Sequence, residues 1–458
     1  MKKSKKHIDL TTGGIGSKLV AFALPLLIGS LIQQLYGAVD LIFAGREIGK
    51  TASAAIGTSS MLITCLVGFF GGLNVGSGVI IAQLIGEKKD DKVRSAIQSA
   101  LTLSLAGGII FMAAGYLLAP VFLTLLRTPA EIKPEALLYL RIYFLSFLAI
   151  FVYNLGSGIL RALGDSRTPL YAQLIGGLAN VAMDYWFIHL MKNGVSGVAW
   201  ATLISQTAAA LAVLWGIGIL PREWNPFRAK WKYEGQTALH MIRIGVPAGL
   251  QSLVITLSNV MAQYHINQCG SDAIAAFAAY YKIELLIYYP IVAMGQASQV
   301  FTAQNYGAGK LQRMKRGTWI SLGICGGSAL VISLISLFFG SQLFSVFTKD
   351  PDVIRVGIQL IQITFPFYFI YSVLQILGDG LRGMGETKRP MQVILVNICL
   401  IRTALLFILV PVIGDARGIA MVYPITWFLT GLGMIPCYLA HFRKISAEKK
   451  RSGVQEAC

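Results

Sequence analysis

Two aspartates stand inside apolar runs with no basic residue nearby to neutralise them. Asp40 lies in "LLIGSLIQQLYGAVDLIFAG" (26–45) and Asp184 in "GGLANVAMDYWFIHL" (176–190). Holding a carboxylate in hydrocarbon costs roughly 2.5–3.5 kcal/mol on insertion scales, so such residues are functional by default. Asn180 precedes Asp184 by four residues and shares its helix face. Gly29, Gln33, Tyr36 and Asp40 form one stripe that continues from Pro25, and Thr202, Ser205 and Gln206 share a face further on. At 1.5 Å per residue, Asp40, Asp184, Thr202 and Asn180 fall about 6, 9, 10 and 15 Å below the outer ends of their helices. Three helices thereby bring oxygen-bearing groups to one layer. Two carboxylates there repel each other and resist desolvation; a proton relieves both effects, and so does a hard cation such as Na⁺. A filled and an empty site favour different packings, which is the basis of an ion-driven switch.

The elements that position these groups are membrane helices. Of 458 residues, 55% are hydrophobic and 13% charged, half the charged fraction of a soluble domain. Unbroken apolar runs of about 20 residues recur throughout, long enough to cross a bilayer as helices and unlike the alternating pattern of a β-barrel. We read twelve spans, at 17–44, 54–82, 93–118, 134–162, 167–190, 195–219, 237–266, 273–304, 312–340, 353–382, 388–411 and 416–440. The net charge of +18 is concentrated in the tails and even-numbered loops, with about 26 Lys and Arg there against about 8 in the odd-numbered loops. That asymmetry puts both termini in the cytoplasm and makes the charge topological, so no nucleic-acid partner is expected. No small-residue cleavage site follows the Lys-rich start, so no cleaved signal peptide is expected. The six cysteines have no metal-ligand or redox spacing and are expected to be free thiols.

The second half repeats the first at a displacement of about 221 residues. "ILRALGDSRTP" (159–169) answers "GLRGMGETKRP" (380–390), "AQLIGEKK" (82–89) answers "AQNYGAGK" (303–310), and Pro25 answers Pro247. The resulting layout is a tail at 1–16, an N-lobe at 17–219, a polar cytoplasmic linker at 220–236, a C-lobe at 237–440 and a basic tail at 441–458. Same-orientation duplications of this kind mark transporter folds. At the repeat displacement Asn180 faces Ile401, Asp184 faces Leu405, Thr202 faces Tyr423, and Asp40 faces Met261 or Ala262. The polar set is therefore expected only in the first half, where something beyond packing demands it.

The two "LRxxG[DE]xxxP" loops, "AQNYGAG", and a Pro-containing first span ending in "VDLIFAG" together resemble the multidrug and toxic compound extrusion (MATE) family, in its DinF-type bacterial branch. The likeness runs from about Gly16 to Ala440. It implies an all-α polytopic membrane protein, with twelve transmembrane helices in two six-helix repeats arranged as a V-shaped pair of lobes. It implies a cation-coupled antiporter, driven by H⁺ or Na⁺, that exports amphipathic cationic organic compounds by alternating access. By the resemblance, Asp40 and Asp184 are the acids of the coupling site, with Asn180 and Thr202 completing it. Gln33, Gln34, Tyr36 and Asn154 fall where the family lines its N-lobe substrate cavity, and Pro25 marks a bending first helix. The acids of the NorM-type branch are replaced here by Ile255 and Tyr371.

Glu284 in "YYKIELLIYYP" is either a second proton site or a lobe-fixing contact, and Arg402 either stabilises the C-lobe or neighbours Glu284. "GREIGKT" (45–51) has three residues between its glycines where a phosphate loop needs four. Asp165 and Asp379 sit beside Arg-containing turns, where solvation or helix capping accounts for them. With isolated histidines and no nucleophile or acid dyad, we expect no enzyme, no catalytic residue, no cofactor and no metal beyond Na⁺ at the coupling site. A monomer in the cell membrane, with lipid around it, is expected. The alternative function is a lipid or lipid-linked oligosaccharide flippase. It would favour a cleft lined by Arg and Lys, and spans 17–162 carry almost none away from their ends.

Overall fold

A computed structural model of the chain describes residues 7–43 and 50–455. Asp40 lies within its first helix, but its side chain falls outside the described residues, as do residues 45–49 of the "GREIGKT" stretch. Among the described residues every regular element is helical. The first seven are α1 (Ile15–Phe43), α2 (Lys50–Gly86), α3 (Asp90–Leu125), α4 (Lys133–Leu145), α5 (Phe147–Ala162), α6 (Arg167–Asp184) and α7 (Gly194–Gly218). Then follow α8 (Gly235–Gln268), α9 (Ser271–Gly307), α10 (Leu311–Phe338), α11 (Gly340–Ser345) and α12 (Pro351–Thr364). The last are α13 (Tyr368–Gly383), α14 (Lys388–Ile394), α15 (Arg402–Ile413) and α16 (Ala416–Gln455).

Nine segments among the described residues are long and apolar enough to span a bilayer, and α4 with α5, bent by 42°, makes a tenth. The two remaining spans expected from the sequence are also helical. One is α6, which continues as a π-helix over Tyr185–Leu190, and the other is the 37-residue α9. These two carry Asp184 and Glu284. Their polar content is what lowers their hydropathy.

The repeated loop motif is a double helix cap. Gly164 and Gly385 occupy equivalent positions at φ +89° and +86°, the left-handed region that glycine enters without a β-carbon clash. Asp165 N then donates to Leu160 O at 2.9 Å, and Glu386 N to Leu381 O at 3.0 Å, closing the ends of α5 and α13. Asp165 Oδ1 accepts from Arg167 N and Thr168 N, both at 2.9 Å, which opens α6. Asp165 is therefore a buried cap. Asp379 is not a solvated charge: it is 2% exposed, pairs with Arg382 at 2.7 Å and accepts from Gln375 Nε2 at 2.7 Å.

The chain forms two compact units, Met1–Asp9 with Leu24–Gly249, and Leu10–Ala23 with Leu250–Cys458. The chain changes unit inside α1 between Ala23 and Leu24, and inside α8 between Gly249 and Leu250. Each changeover lies within two residues of a proline in the helix, Pro25 and Pro247. A proline removes an amide donor and crowds the preceding turn, so it suits a point where one helix serves two bodies. The first unit's core gathers around Phe70, whose ring lies 4.7, 5.3 and 4.3 Å from those of Phe111, Phe147 and Phe151. In the second unit the largest fully buried side chains include Tyr280, Phe301, Phe344, Phe365 and Tyr368.

Candidate functional site

In the first unit α6 is the organising helix. Gln173, Gly177, Asn180 and Asp184 recur at spacings of four, three and four residues, one continuous stripe. Gln173 links three helices: Tyr153 OH of α5 donates to its Oε1 at 2.9 Å, and its Nε2 donates to Tyr36 OH of α1 at 3.2 Å. Tyr36 lies on Gly177, and Gly29 of α1 lies opposite Gln173 and Leu170. Rising residue numbers on α1 thus meet rising numbers on α6, and the two helices run parallel. Position 40, one turn beyond Tyr36, comes level with the Asn180 turn.

α7 arrives from the other side. Gly176 faces Ala209 and Ser205, and Gly197 faces Phe187, an antiparallel register that carries Thr202 level with Asn180. Asn180 and Asp184 are 2% and 0% exposed. Asn180 Oδ1 accepts no hydrogen bond among the described residues. Thr202 is half-buried and its hydroxyl donates to Val198 O at 3.0 Å, leaving its oxygen lone pairs available as an acceptor. Asp184 is the last α-helical residue before the π-helix, an irregularity frequent at functional sites.

The expected cavity residues divide. Tyr36 joins the Gln173 bridge, whereas Asn154 is half-buried and donates to Ile150 O of its own helix at 2.9 Å. Gln33 and Gln34 are exposed on α1. Gln173, Tyr153 and Gly177 are not singled out from the sequence; the unbroken stripe 173–177–180–184 is the signal that identifies Gln173 and Gly177, whereas Tyr153 emerges only through its bond to Gln173.

The second unit holds Glu284 and Arg402 in a cluster of aromatic and hydroxyl side chains. Tyr368 OH donates to the Glu284 carboxylate. Arg402 is 4% exposed, sits 4.8 Å over the ring of Tyr423, and donates from Nη2 to Thr426 Oγ1 at 3.4 Å. Tyr280 OH donates to Thr364 Oγ1 at 2.9 Å, and the hydroxyls of Tyr281 and Tyr423 lie 3.3 Å apart. The rings of Tyr368 and Tyr371 pack 4.7 and 5.4 Å from Trp427. Lys282 is exposed and takes no part. A second π-helix, Leu395–Ile401, ends directly before Arg402. The cluster draws on α9, α12, α13, α15 and α16, so displacing one repeat onto the other cannot reveal it.

The MatE family model matches residues 25–186 and 247–408, each match starting on the proline at a unit changeover. The probable multidrug resistance protein YpnP of Bacillus subtilis is 30% identical over 395 residues, covering 86% of this chain and 87% of that one. An FAD transporter of Shewanella oneidensis is 24% identical over 454 residues, covering 95% and 96%. Among solved structures, a multidrug resistance MATE family transporter of the MOP superfamily in an outward-facing conformation superposes with TM-score 0.87. It is 21% identical, over 98% of this chain and 100% of that one, and shows the same fold. Two copies of one family signature, each opening at the proline where a helix passes between units, make this multi-pass membrane protein a member of the MatE family.

Proposed function

We propose that the protein is a cation-coupled antiporter that exports amphipathic, cationic organic compounds by alternating access. The observation that carries this reading is Asp184, fully buried in α6 with the buried amide of Asn180 one turn below it. In this reading H⁺ or Na⁺ is the coupling substrate, taken by Asp184 and Asp40 with help from Asn180 and Thr202. Neutralising the carboxylates removes their desolvation cost and mutual repulsion, so occupancy biases the packing of α1 against α6. Each charge that crosses 100 mV supplies about 2.3 kcal/mol to that bias. Tyr36, Gln33, Gln34 and Asn154 contribute to the cargo path. The protein acts as a monomer in the cell membrane, with both termini cytoplasmic and no cofactor. The multidrug relative supports a broad organic cargo, and the FAD transporter makes a flavin dinucleotide a necessary member of any test panel.

The test is transport in proteoliposomes with H⁺ and Na⁺ gradients imposed separately, on cationic dyes and flavin adenine dinucleotide. Export should follow one gradient and fall at least about tenfold in Asp40→Asn and Asp184→Asn, with elution profile and melting temperature retained. Full gradient-driven export by Asp184→Asn overturns the assignment.

A further inference from the structure

The segment between α7 and α8 is built in a way that transport does not require. It is non-helical over most of its length, yet it is pinned along α3 by buried polar side chains. Gln98, 1% exposed, donates from Nε2 to Pro226 O at 2.9 Å and Lys230 O at 3.3 Å, and accepts from Lys232 N at 3.1 Å. Ser99 Oγ accepts from Glu234 N at 2.9 Å. Trp224 Nε1 donates to Asp90 Oδ1 at 2.8 Å, and Trp231 Nε1 to Thr102 Oγ1 at 3.2 Å. The segment therefore runs from the start of α3 to a level about 18 Å further along its axis.

That level is informative. Residues 95–126 carry no charge, more than enough to cross the hydrocarbon core, and Arg94 is the last charged residue before them. Gln98 and Thr102 stand about one and two turns beyond Arg94, where the uncharged run begins, so the segment lies against the membrane-surface end of α3. The pinned segment turns aromatic rings outward here, with Phe227, Trp231 and Tyr233 at 53%, 45% and 53% exposed. Basic residues alternate with them. Lys232 is engaged by Glu234 at 3.0 Å, while Arg228 and Lys230 are exposed and meet no carboxylate among the described residues. Exposed tryptophan and tyrosine beside uncompensated cations at the membrane-surface end of α3 match an anionic amphiphile in both charge and polarity.

We propose that this segment is a binding site for an anionic phospholipid, with Arg228 and Lys230 holding the headgroup phosphate and Trp231 and Tyr233 resting on the first carbons of its chains. The site commits to a lipid rather than free phosphate because a soluble anion leaves the rings exposed. It rests on the chain crossing a bilayer and not on what the chain transports. Positive charges near an anionic membrane surface each contribute about fivefold to partitioning.

The full-length protein, purified in detergent and titrated with phosphatidylglycerol, should bind it about 25-fold more tightly than the Arg228→Gln/Lys230→Gln variant. Phosphatidylcholine should not distinguish the two, and their melting temperatures in it should agree, since neither substitution touches the Gln98 bonds. Arg443→Gln/Lys444→Gln removes the same charge from the C-terminal tail and should retain most of the affinity. On the wild-type protein, bromine-labelled phosphatidylglycerol should quench a tryptophan component that Trp231→Phe abolishes. The proposal fails if the linker variant binds as wild type does, if both double variants weaken equally, if inorganic phosphate stabilises the protein as well as the lipid does, or if that quenched component is absent.

Discussion

The ring of Tyr36 lies so close to Gly177 that a β-carbon there would stand 2.8 Å from Tyr36 Cδ1. This contact holds α1 against α6 one turn from Asn180, and it sets the depth to which Tyr36 can reach Gln173. Gly177→Ala must push the ring aside and break the Gln173 bond, at a cost of about 1–3 kcal/mol for overpacking. The purified variant should melt at lower temperature than wild type, and Tyr36→Ala in the same chain should recover part of the loss. Additive losses in the double variant would show that the two residues do not interact.

Arg402 is held by the face of Tyr423 rather than by a carboxylate. A desolvated cation–π contact contributes about 2 kcal/mol, so Arg402→Met, similar in length but uncharged, should destabilise by about that amount. Tyr423→Phe keeps the ring and should change little, whereas Tyr423→Leu should match Arg402→Met. Thermal melts of the three variants check this. Equal losses from Phe and Leu at position 423 would assign the stabilisation to the tyrosine hydroxyl, which faces Tyr281.

The sequence carries the helices because apolar length is a local property, and it carries the repeat because caps are local too. Gly164 and Gly385 are legible as a pair since each ends its helix through its own backbone. The stripe on α6 is equally local, which is why Asn180 and Asp184 stand out from residue spacing alone. What does not read out is partnership across sequence distance. Gln173 meets Tyr36 across 137 positions, and Tyr368 meets Glu284 across 84. The tyrosines of the second unit look like packing until Arg402 and Glu284 are found among them. The linker at 220–236 reads as a polar connection, and only the bonds from Gln98 reveal a fixed surface.

The end of that linker carries a pH dependence. Lys232, bonded at 3.0 Å, holds the Glu234 carboxyl below its ordinary value of about 4.5, with Ser95 and Thr237 acting the same way against partial burial. A carboxyl depressed in the folded state contributes stability that is complete above its unfolded value and is lost as pH falls through the folded one. The pair is open to solvent, which limits the effect to about 1 kcal/mol or less. Melting temperatures of wild type and Glu234→Gln should differ by a constant amount above about pH 5 and converge below about pH 4.5. A gap that persists unchanged into acid would remove Glu234 ionisation as its source.

The segment before α1 is held chiefly by the Arg313 guanidinium, beside Lys310 Nζ, which donates to Thr11 O at 2.9 Å, and Asn305 Nδ2, which donates to Leu10 O at 3.2 Å. Arg313 donates from Nε and Nη2 to Leu10 O at 3.3 and 3.2 Å, from Nη2 to Thr12 O at 2.7 Å and from Nη1 to Gly13 O at 2.8 Å. Leu10 N in turn donates to Gln304 Oε1 at 3.2 Å, within the "AQNYGAGK" motif that the sequence repeat singles out. Lysine retains the charge but cannot reach three carbonyls with a planar fork. Charge-assisted hydrogen bonds contribute about 1.5–3 kcal/mol, so Arg313→Lys should raise amide exchange at Leu10 by about tenfold or more. The Ile8 amide, which donates to Gly164 O at 3.0 Å in the other unit, should exchange as before. Exchange that rises equally at Ile8 and Leu10 would mean that the whole segment opens as one piece, and exchange that rises at neither would leave Arg313 without the anchoring role its geometry gives it.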